Sequence, residues 1–183
     1  MSFRKRELED DLKDEAATSK NIPERLFSDF TILSLEGKEF PCHRYILSSQ
    51  SPVMLAMLTT NMKEKQEKQV ELKYSEGVVA HFVEYFYSGK VPRKILESNL
   101  VSFLELAGQY DLVPLKLLTE EAAIGMLSAE NMLDLYALAD LHAAEKLKKA
   151  AEFFVKKNRE ELRDKDLTVY PHSVVNDLVR ILI

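Results

Sequence analysis

The chain has 183 residues, of which 46% are hydrophobic and 30% are charged, and its formal net charge is -5. This composition is typical of a globular protein, and a chain of this length can bury enough surface to fold without a disulfide or a structural metal. The negative charge argues against a nucleic-acid-binding protein, which needs clustered Lys and Arg. The basic cluster at residues 4–6 is soon followed by acidic residues, so it is interpreted as a solvated helix end.

Cysteine content and hydropathy indicate the compartment. The single cysteine, Cys42, cannot form an internal disulfide, which fits a reducing environment. No apolar run approaches the roughly 20 residues of a membrane span, and the charged N-terminus does not fit a signal peptide. We therefore expect a protein of the cytoplasm, the nucleus or both that does not bind a membrane.

The first 26 residues predict an N-terminal helix that is only weakly amphipathic. They are highly charged, with sparse apolar positions that include Leu8 and Leu12. Pro23 disfavours a helical residue before it, so the helix should end there. A helix of this kind needs a partner surface to be stable.

Residues 29–35 predict a strand, and a turn with a second strand follows at residues 36–40. The alternation of apolar side chains changes phase within the first strand, which implies either a β-bulge or burial on both faces. Apolar side chains occupy the two faces as follows: Phe30 and Ile32 on one, Leu33 and Leu35 on the other.

Short helices are predicted at residues 44–49 and 52–58, followed by a third strand at 69–73 and a helix at 76–88. Gly89 suits the left-handed cap of that last helix.

The remainder of the chain is predicted to be helical. Apolar stripes with helical spacing predict a further five helices, at residues 100–107, 115–126, 132–139, 147–154 and 171–182. Because strands and helices segregate rather than alternate, the fold class is α+β with an α-helical tail.

Catalytic and metal-binding patterns are missing from the sequence. The five glycines form no phosphate-binding loop, and no Cys/His pair has zinc-ligand spacing. Cys42 and His43 are neighbours in a strand, so their side chains should point to opposite faces and cannot act together as nucleophile and base. We expect no enzyme activity, no cofactor and no metal.

Dispersed segments of the chain resemble the BTB/POZ signature over about residues 26–127. The matching segments are 28–32 (SDFTI), 37–47 (GKEFPCHRYIL), 51–57 (SPVMLAM), 70–72 (VEL), 82–89 (FVEYFYSG), 104–107 (LELA) and 110–112 (YDL). The resemblance implies a small three-stranded sheet with α-helical hairpins, usually in a homodimer.

The tail is similar to the helical segment that follows the BTB domain in speckle-type POZ proteins. Three segments carry this likeness, 128–131 (SAEN), 139–147 (ADLHAAEKL) and 170–174 (YPHSV). In that family the segment is called the three-box, resembles the start of a BACK domain and helps to hold a cullin. The resemblance thus divides the chain into a dimerisation helix (1–26), a BTB/POZ domain (27–127) and a three-box or partial BACK segment (128–183).

The resemblance also implies a cullin-binding surface. Relatives carry an apolar-x-Glu motif that inserts its apolar residue against the cullin, and Met62-Lys63-Glu64 matches it in type and position. Such a motif is common by chance, so a polar loop before a strand is the alternative interpretation. Leu58, Tyr110 and Asp111 are assigned to the same surface.

For the dimer, the resemblance places the N-terminal helix across a two-fold axis. Asp29 and Arg44 are expected to pair near this axis, although the segment from Asp29 to Gly37 is one residue longer than in most relatives. Apolar positions that a monomer should leave partly exposed complete the predicted interface: Leu8, Leu12, Ile46 and Leu47.

The resulting functional hypothesis is a homodimeric adaptor that binds a cullin of the cullin-three class in a cullin-RING ubiquitin ligase, together with an unidentified protein substrate. Only about 26 residues precede the BTB region, too few for the MATH domain of relatives, so the chain is expected to be either a fragment or a stand-alone adaptor. The alternatives are a transcription-linked BTB scaffold, a regulatory protein that competes with full-length adaptors, and a tetramerisation module of the potassium-channel type.

Overall fold

The computed structural model describes residues 26–60, 63–162 and 167–182. The predicted N-terminal helix, with Leu8 and Leu12, lies outside these residues, and so does Met62. The chain divides into two compact units, residues 1–95 and 96–183, which are treated separately below.

A three-stranded sheet lies in the first unit, as the resemblance implied. Its strands are β1 (Phe30–Leu33), β2 (Glu39–Cys42) and β3 (Gln69–Glu71), in the order β2-β1-β3. The hairpin β1–β2 is antiparallel, whereas β3 pairs with β1 in parallel. The helical connection between β2 and β3 permits this parallel pairing, because parallel strands need a crossover.

The phase change in β1 has a simpler cause than a bulge. Phe30 and Ile32 are buried, as predicted. The strand ends at Leu33, and Leu35 lies exposed in the turn that follows. The register from Phe30 to Leu33 against β2 is unbroken, so the bulge interpretation is wrong. Gly37 closes the turn with φ 77°, a left-handed conformation that favours glycine.

The helices of the first unit are α1 (Arg44–Gln50), α2 (Pro52–Thr59), α3 (Lys63–Glu67) and α4 (Glu76–Ser88); α5 (Arg93–Ser98) spans the boundary between units. Ser51 caps α2, since its Oγ accepts a hydrogen bond from the Met54 N–H at 3.0 Å. Gly89 ends α4 with φ 69°, as predicted. The predicted apolar stripe of α4 is buried throughout: Val78, Val79, Phe82, Tyr85 and Phe86.

Five helices form the second unit, α6 (Leu100–Gln109), α7 (Val113–Gly125), α8 (Met132–Leu141), α9 (Glu145–Lys157) and α10 (His172–Leu182). Short 3-10 turns lie at Arg159–Leu162 and Leu167–Val169. The tail builds a core of its own from α8, α9, α10 and the first of these turns: Met132, Leu133, Tyr136, Ala151, Val155, Leu162, Val174 and Leu178.

The compact units meet between residues 95 and 96, and the domain boundary predicted between residues 127 and 128 stays a prediction. Helices α6 and α7 lie in the same compact unit as the tail. This unit begins at Leu96. Helix α9 packs against both α7 and α8. The last helices of the predicted BTB region therefore share their packing with the three-box segment.

Candidate protein-interaction surfaces

Asp29 and Arg44 meet where β1 begins and α1 starts, and their place near a dimer axis stays a prediction. The Asp29 carboxylate accepts a hydrogen bond from the Arg44 N–H at 2.9 Å, while His43, the N-cap residue of α1, makes no capping hydrogen bond with its own side chain. The Arg44 guanidinium lies 5.8 Å from the centroid of the Phe30 ring. Asp29 thus caps α1 from a distant position in the sequence and ties the helix to the sheet.

His43 connects three segments next to this cap. Its backbone N–H donates to the Tyr87 hydroxyl at 3.0 Å, and its ring Nδ1 lies 2.9 Å from the same oxygen. Its Nε2 lies 2.9 Å from the carbonyl oxygen of Leu26. A carbonyl can only accept, so Nε2 carries the proton and Nδ1 accepts from the Tyr87 hydroxyl in the neutral ring.

Exposed apolar side chains lie next in sequence to the residues of this hydrogen-bonded cluster. Phe27 is 93% exposed and has a positive φ of 63°, an uncommon conformation for an aromatic residue, and Leu26 and Tyr45 are also largely exposed. Ile46 is half-buried, which is compatible with its predicted place in an interface. Exposed apolar groups close together are typical of a protein-interaction surface.

Leu47 differs from the prediction. Its side chain is 0% exposed, because α1 turns this residue into the core of the first unit. The expectation that a monomer leaves Leu47 partly exposed is wrong, and the residue has no surface with which to contact a second copy.

The segment predicted to bind a cullin begins on α2. This helix buries Met54, Met57 and Leu58 and exposes Val53 and Leu55 on its outer side. Leu58 is only 6% exposed, so it belongs to the protein's own core instead of the outer surface assigned to it. Leu58 can position the following segment, but its side chain is not accessible to a partner.

Glu64 lies in the first turn of α3, and its side chain is half-buried. Helix α3 is short and was not predicted from the sequence. Lys68, directly after it, has a positive φ of 56°, which redirects the chain into β3. Lys63 and Glu64 of the motif thus stand at the start of a helical turn, while Met62 lies outside the described residues.

Tyr110 and Asp111 lie in the second unit, at the turn between α6 and α7. Tyr110 is 3% exposed, so its side chain is also part of the protein's own core, against the predicted contact. Asp111 is exposed and has a positive φ of 51°, a conformation that Asp tolerates better than most residues. Of these two residues, only Asp111 offers its side chain to a partner.

Helix α7 holds the tail through a buried carboxylate that the sequence analysis missed. Glu120 Oε2 accepts a hydrogen bond from the Leu147 N–H in the first turn of α9 at 2.8 Å. Two further contacts flank it, from Lys116 Nζ to the Ala143 carbonyl oxygen at 2.8 Å and from Lys146 Nζ to Glu121 Oε1 at 2.5 Å. The negative charge at the positive end of α9 favours this attachment.

A polar cluster fixes the last helix to the rest of the tail. Lys148 Nζ on α9 lies 2.5 Å from Asp140 Oδ1 on α8 and 3.3 Å from Asp177 Oδ2 on α10. The hydrogen bond with Asp140 raises the pKa of Lys148, so the ammonium remains charged. Burial raises the pKa of Tyr136, which donates to Asp177 at 3.4 Å, to about 12.

Tyr170 gives the tail a testable pH dependence. Its hydroxyl donates to Asp134 Oδ1 at 2.6 Å, and burial followed by this hydrogen bond raises its pKa from 10.0 to about 12. Because the folded-state pKa is raised, the stabilisation is complete below pH 10.0 and is lost as the pH rises to about 12. Tyr170→Phe is expected to reduce the slope of this part of the stability profile, to which Tyr136 also contributes, measured by urea unfolding at several pH values. Parallel profiles for both proteins would contradict the assignment.

Neither a metal centre nor a membrane span is found in the described part of the chain. Among residues 26–60, 63–162 and 167–182, no group of three or more His, Cys, Asp or Glu side chains could hold a metal ion. No helix within the same ranges is long and apolar enough to cross a membrane.

The small three-stranded sheet with many helices fits a BTB/POZ domain, and the BTB/POZ domain family model matches residues 20–127. The chain belongs to the BTB/POZ family. It is similar to TD and POZ domain-containing protein 1 of Mus musculus, with 37% identity over 131 residues. That match covers 71% of this chain and 36% of the mouse protein, so the chain spans about a third of this relative's length.

Membership of this family defines a general function. BTB/POZ domains mediate protein–protein interaction and dimerisation, and they are not an enzymatic family. The chain is accordingly a protein-interaction module. Its candidate surfaces are the apolar cluster around His43, the outer side of α2 with α3, and the exposed faces of the tail.

Proposed function

We propose that this protein is a dimeric adaptor that binds a cullin of the cullin-three class as part of a cullin-RING ubiquitin ligase in the cytoplasm, the nucleus or both. The observation that carries the proposal is the place of the apolar-x-Glu motif. Glu64 stands in the first turn of α3, which directly follows the half-exposed outer side of α2. A cullin would thus meet Val53, Leu55 and Glu64 on neighbouring segments of the chain.

The tail supports the same proposal through its attachment. Because Glu120 binds the first turn of α9, the three-box segment is held in a defined position against α7. A segment that is already held in place loses less conformational entropy when it binds, so preorganised surfaces bind more tightly.

Binding to a purified N-terminal fragment of a cullin-three-class protein tests the proposal. Fragments of another cullin class provide the specificity control. Glu64→Ala is expected to weaken binding by roughly 1 kcal/mol, or about fivefold, because a charge at the rim of an interface contributes little more. Glu67→Ala, in the same short helix, is the matched control and should bind like the wild type. Equal binding of both cullin classes, or of neither, would contradict the proposal.

The dimer is proposed to form through the cluster around Leu26, Phe27, Tyr45 and Ile46. These residues offer apolar surface beside the Asp29 cap of α1. A two-fold dimer uses the same surface on both copies, so one substitution changes the interface twice. The two copies of a dimer would bring two cullin-bound ligase complexes to one target and raise the effective concentration of ligase at that target. Catalysis would belong to the partners.

Ile46→Asp is expected to dissociate the dimer, because a charge buried at an apolar interface is costly. The fold should survive, because Ile46 is only half-buried in the chain itself. Light scattering gives the mass, and circular dichroism checks the fold. Ile46→Val is the control and should remain dimeric. A folded Ile46→Asp protein of dimer mass, or a monomeric wild type at micromolar concentration, would contradict the dimer interface.

A further inference from the structure

The outer face of α9 carries an exposed aromatic side chain that the core does not use. The inner face of α9 buries Leu147, Ala151 and Val155, which recur at every fourth position. Phe153 lies on the opposite side and is 71% exposed. A large aromatic side chain in this position gains little from folding of the chain itself, so its apolar surface is available to a partner.

Lysines surround Phe153 on this face. Lys149 precedes it by four positions and Lys157 follows it by four, so both lie beside it on the helix surface. Both lysines are exposed, and within the described ranges neither makes an ion pair or a hydrogen bond through its side chain. Lys156 also borders Phe153 but is paired with Glu152 at 2.8 Å. The face therefore presents one apolar anchor between two unpaired positive charges.

The spacing of the two charges defines a complementary ligand. Lys149 and Lys157 are eight positions apart, slightly more than two helical turns and about 12 Å along the axis. Carboxylates two turns apart on a partner helix match this separation, with a pair of apolar side chains between them to receive Phe153. The chain carries a net charge of -5, so an extended anionic membrane surface is repelled by the protein as a whole. A short acidic segment of a protein contacts only the basic face of α9, so this net charge disfavours it less.

From this arrangement we infer that the outer face of α9, formed by Lys149, Phe153 and Lys157, is a docking site for an acidic amphipathic helix of another protein. Phe153 supplies the apolar anchor, and the two lysines fix the position and direction of the partner through its carboxylates. None of these residues is assigned to the cullin surface or to the dimer interface, so the site provides a further attachment point on the tail.

A synthetic helical peptide tests this inference with the full chain. The labelled peptide carries glutamates two turns apart with a leucine pair between them, and a second peptide replaces the glutamates by glutamines. Fluorescence anisotropy should show binding of the acidic peptide that weakens with salt, and weaker binding of the glutamine peptide. Phe153→Ser should reduce affinity about tenfold. Lys149→Glu with Lys157→Glu should abolish binding.

Two control variants separate this site from general surface effects. Leu141→Ser removes a side chain of α8 that is similarly exposed, at 77%, and Lys38→Glu with Lys73→Glu makes the same charge change in the first unit. Both controls should bind the acidic peptide like the wild type. If they lose affinity as the α9 variants do, or if the wild type does not bind the peptide, the inference is wrong.

Other occupants give distinguishable results. Binding of phosphatidylserine vesicles that depends on Phe153, without peptide binding, would assign the face to a membrane and overturn the inference. A Phe153→Ser protein that loses affinity for the cullin fragment would assign the face to the cullin. A Phe153→Ser protein of lower oligomeric mass than the wild type would assign it to self-association.

Discussion

Met62→Asp is expected to abolish cullin binding while the melting temperature of the protein stays within a few degrees of the wild type. Met62 is the single apolar residue in the segment from Thr59 to Gln69. An unbranched methionine adapts to irregular pockets, and an anchor of this kind contributes about 2 kcal/mol or more. The effect should exceed that of Glu64→Ala, because a charge at the rim of an interface contributes less than a buried anchor.

Calorimetry with the cullin fragment, beside a thermal melt of each variant, measures both quantities. Met62→Leu is the control, since it keeps an apolar side chain of similar size and should retain binding. If Met62 were instead a core residue, Met62→Asp would cause a large loss of stability. Wild-type affinity in a folded Met62→Asp protein would refute the anchor.

Deletion of residues 128–183 is expected to destabilise the remaining chain, and not merely to weaken cullin binding. Helices α6 and α7 belong to the same compact unit as the tail. The deletion removes α9, exposes the face of α7 that α9 covers and leaves Glu120 without the Leu147 N–H. Loss of this hydrogen bond and of the covering helix should cost about 3 kcal/mol or more.

Urea unfolding followed by circular dichroism tests this ordering. A chain that ends at residue 158 keeps α8 and α9 and loses Val174 and Leu178 from the tail core. Its stability should lie between that of the full chain and that of the chain that ends at residue 127. Equal midpoints for the full chain and the shortest chain would show that the tail is an independent appendage.

Periodicity predicted the long helices well, because a stripe over several turns has few alternative structures. The stripe of α4 and that of α8, with Met132, Leu135, Tyr136 and Ala139, are buried as expected. The short elements were harder to predict. Helix α1 has seven residues, too few to decide from the pattern which of Ile46 and Leu47 faces the core. The structure buries Leu47 and leaves Ile46 at the surface.

Contacts between distant segments could not be predicted from a single sequence. The parallel pairing of β3 with β1 depends on the path of the chain between the two strands. The cap of α1 depends on a hydrogen bond between Asp29 and Arg44, which are fifteen positions apart in the sequence. Nothing in the sequence distinguishes Glu120 from the many acidic residues that lie on solvated helix faces. Phe153 did leave a signal, since it is an aromatic residue outside the apolar stripe of its helix.

The mass of the complex with the cullin fragment, measured by sedimentation equilibrium at equimolar concentration, tests most directly whether the chain is a dimeric cullin adaptor. Two copies of this chain and two copies of the fragment are expected in one particle. Ile46→Asp is expected to reduce the particle to one copy of each, and Met62→Asp to leave a dimer of this chain alone. A wild-type sample in which chain and fragment sediment as separate species would contradict cullin binding by this chain.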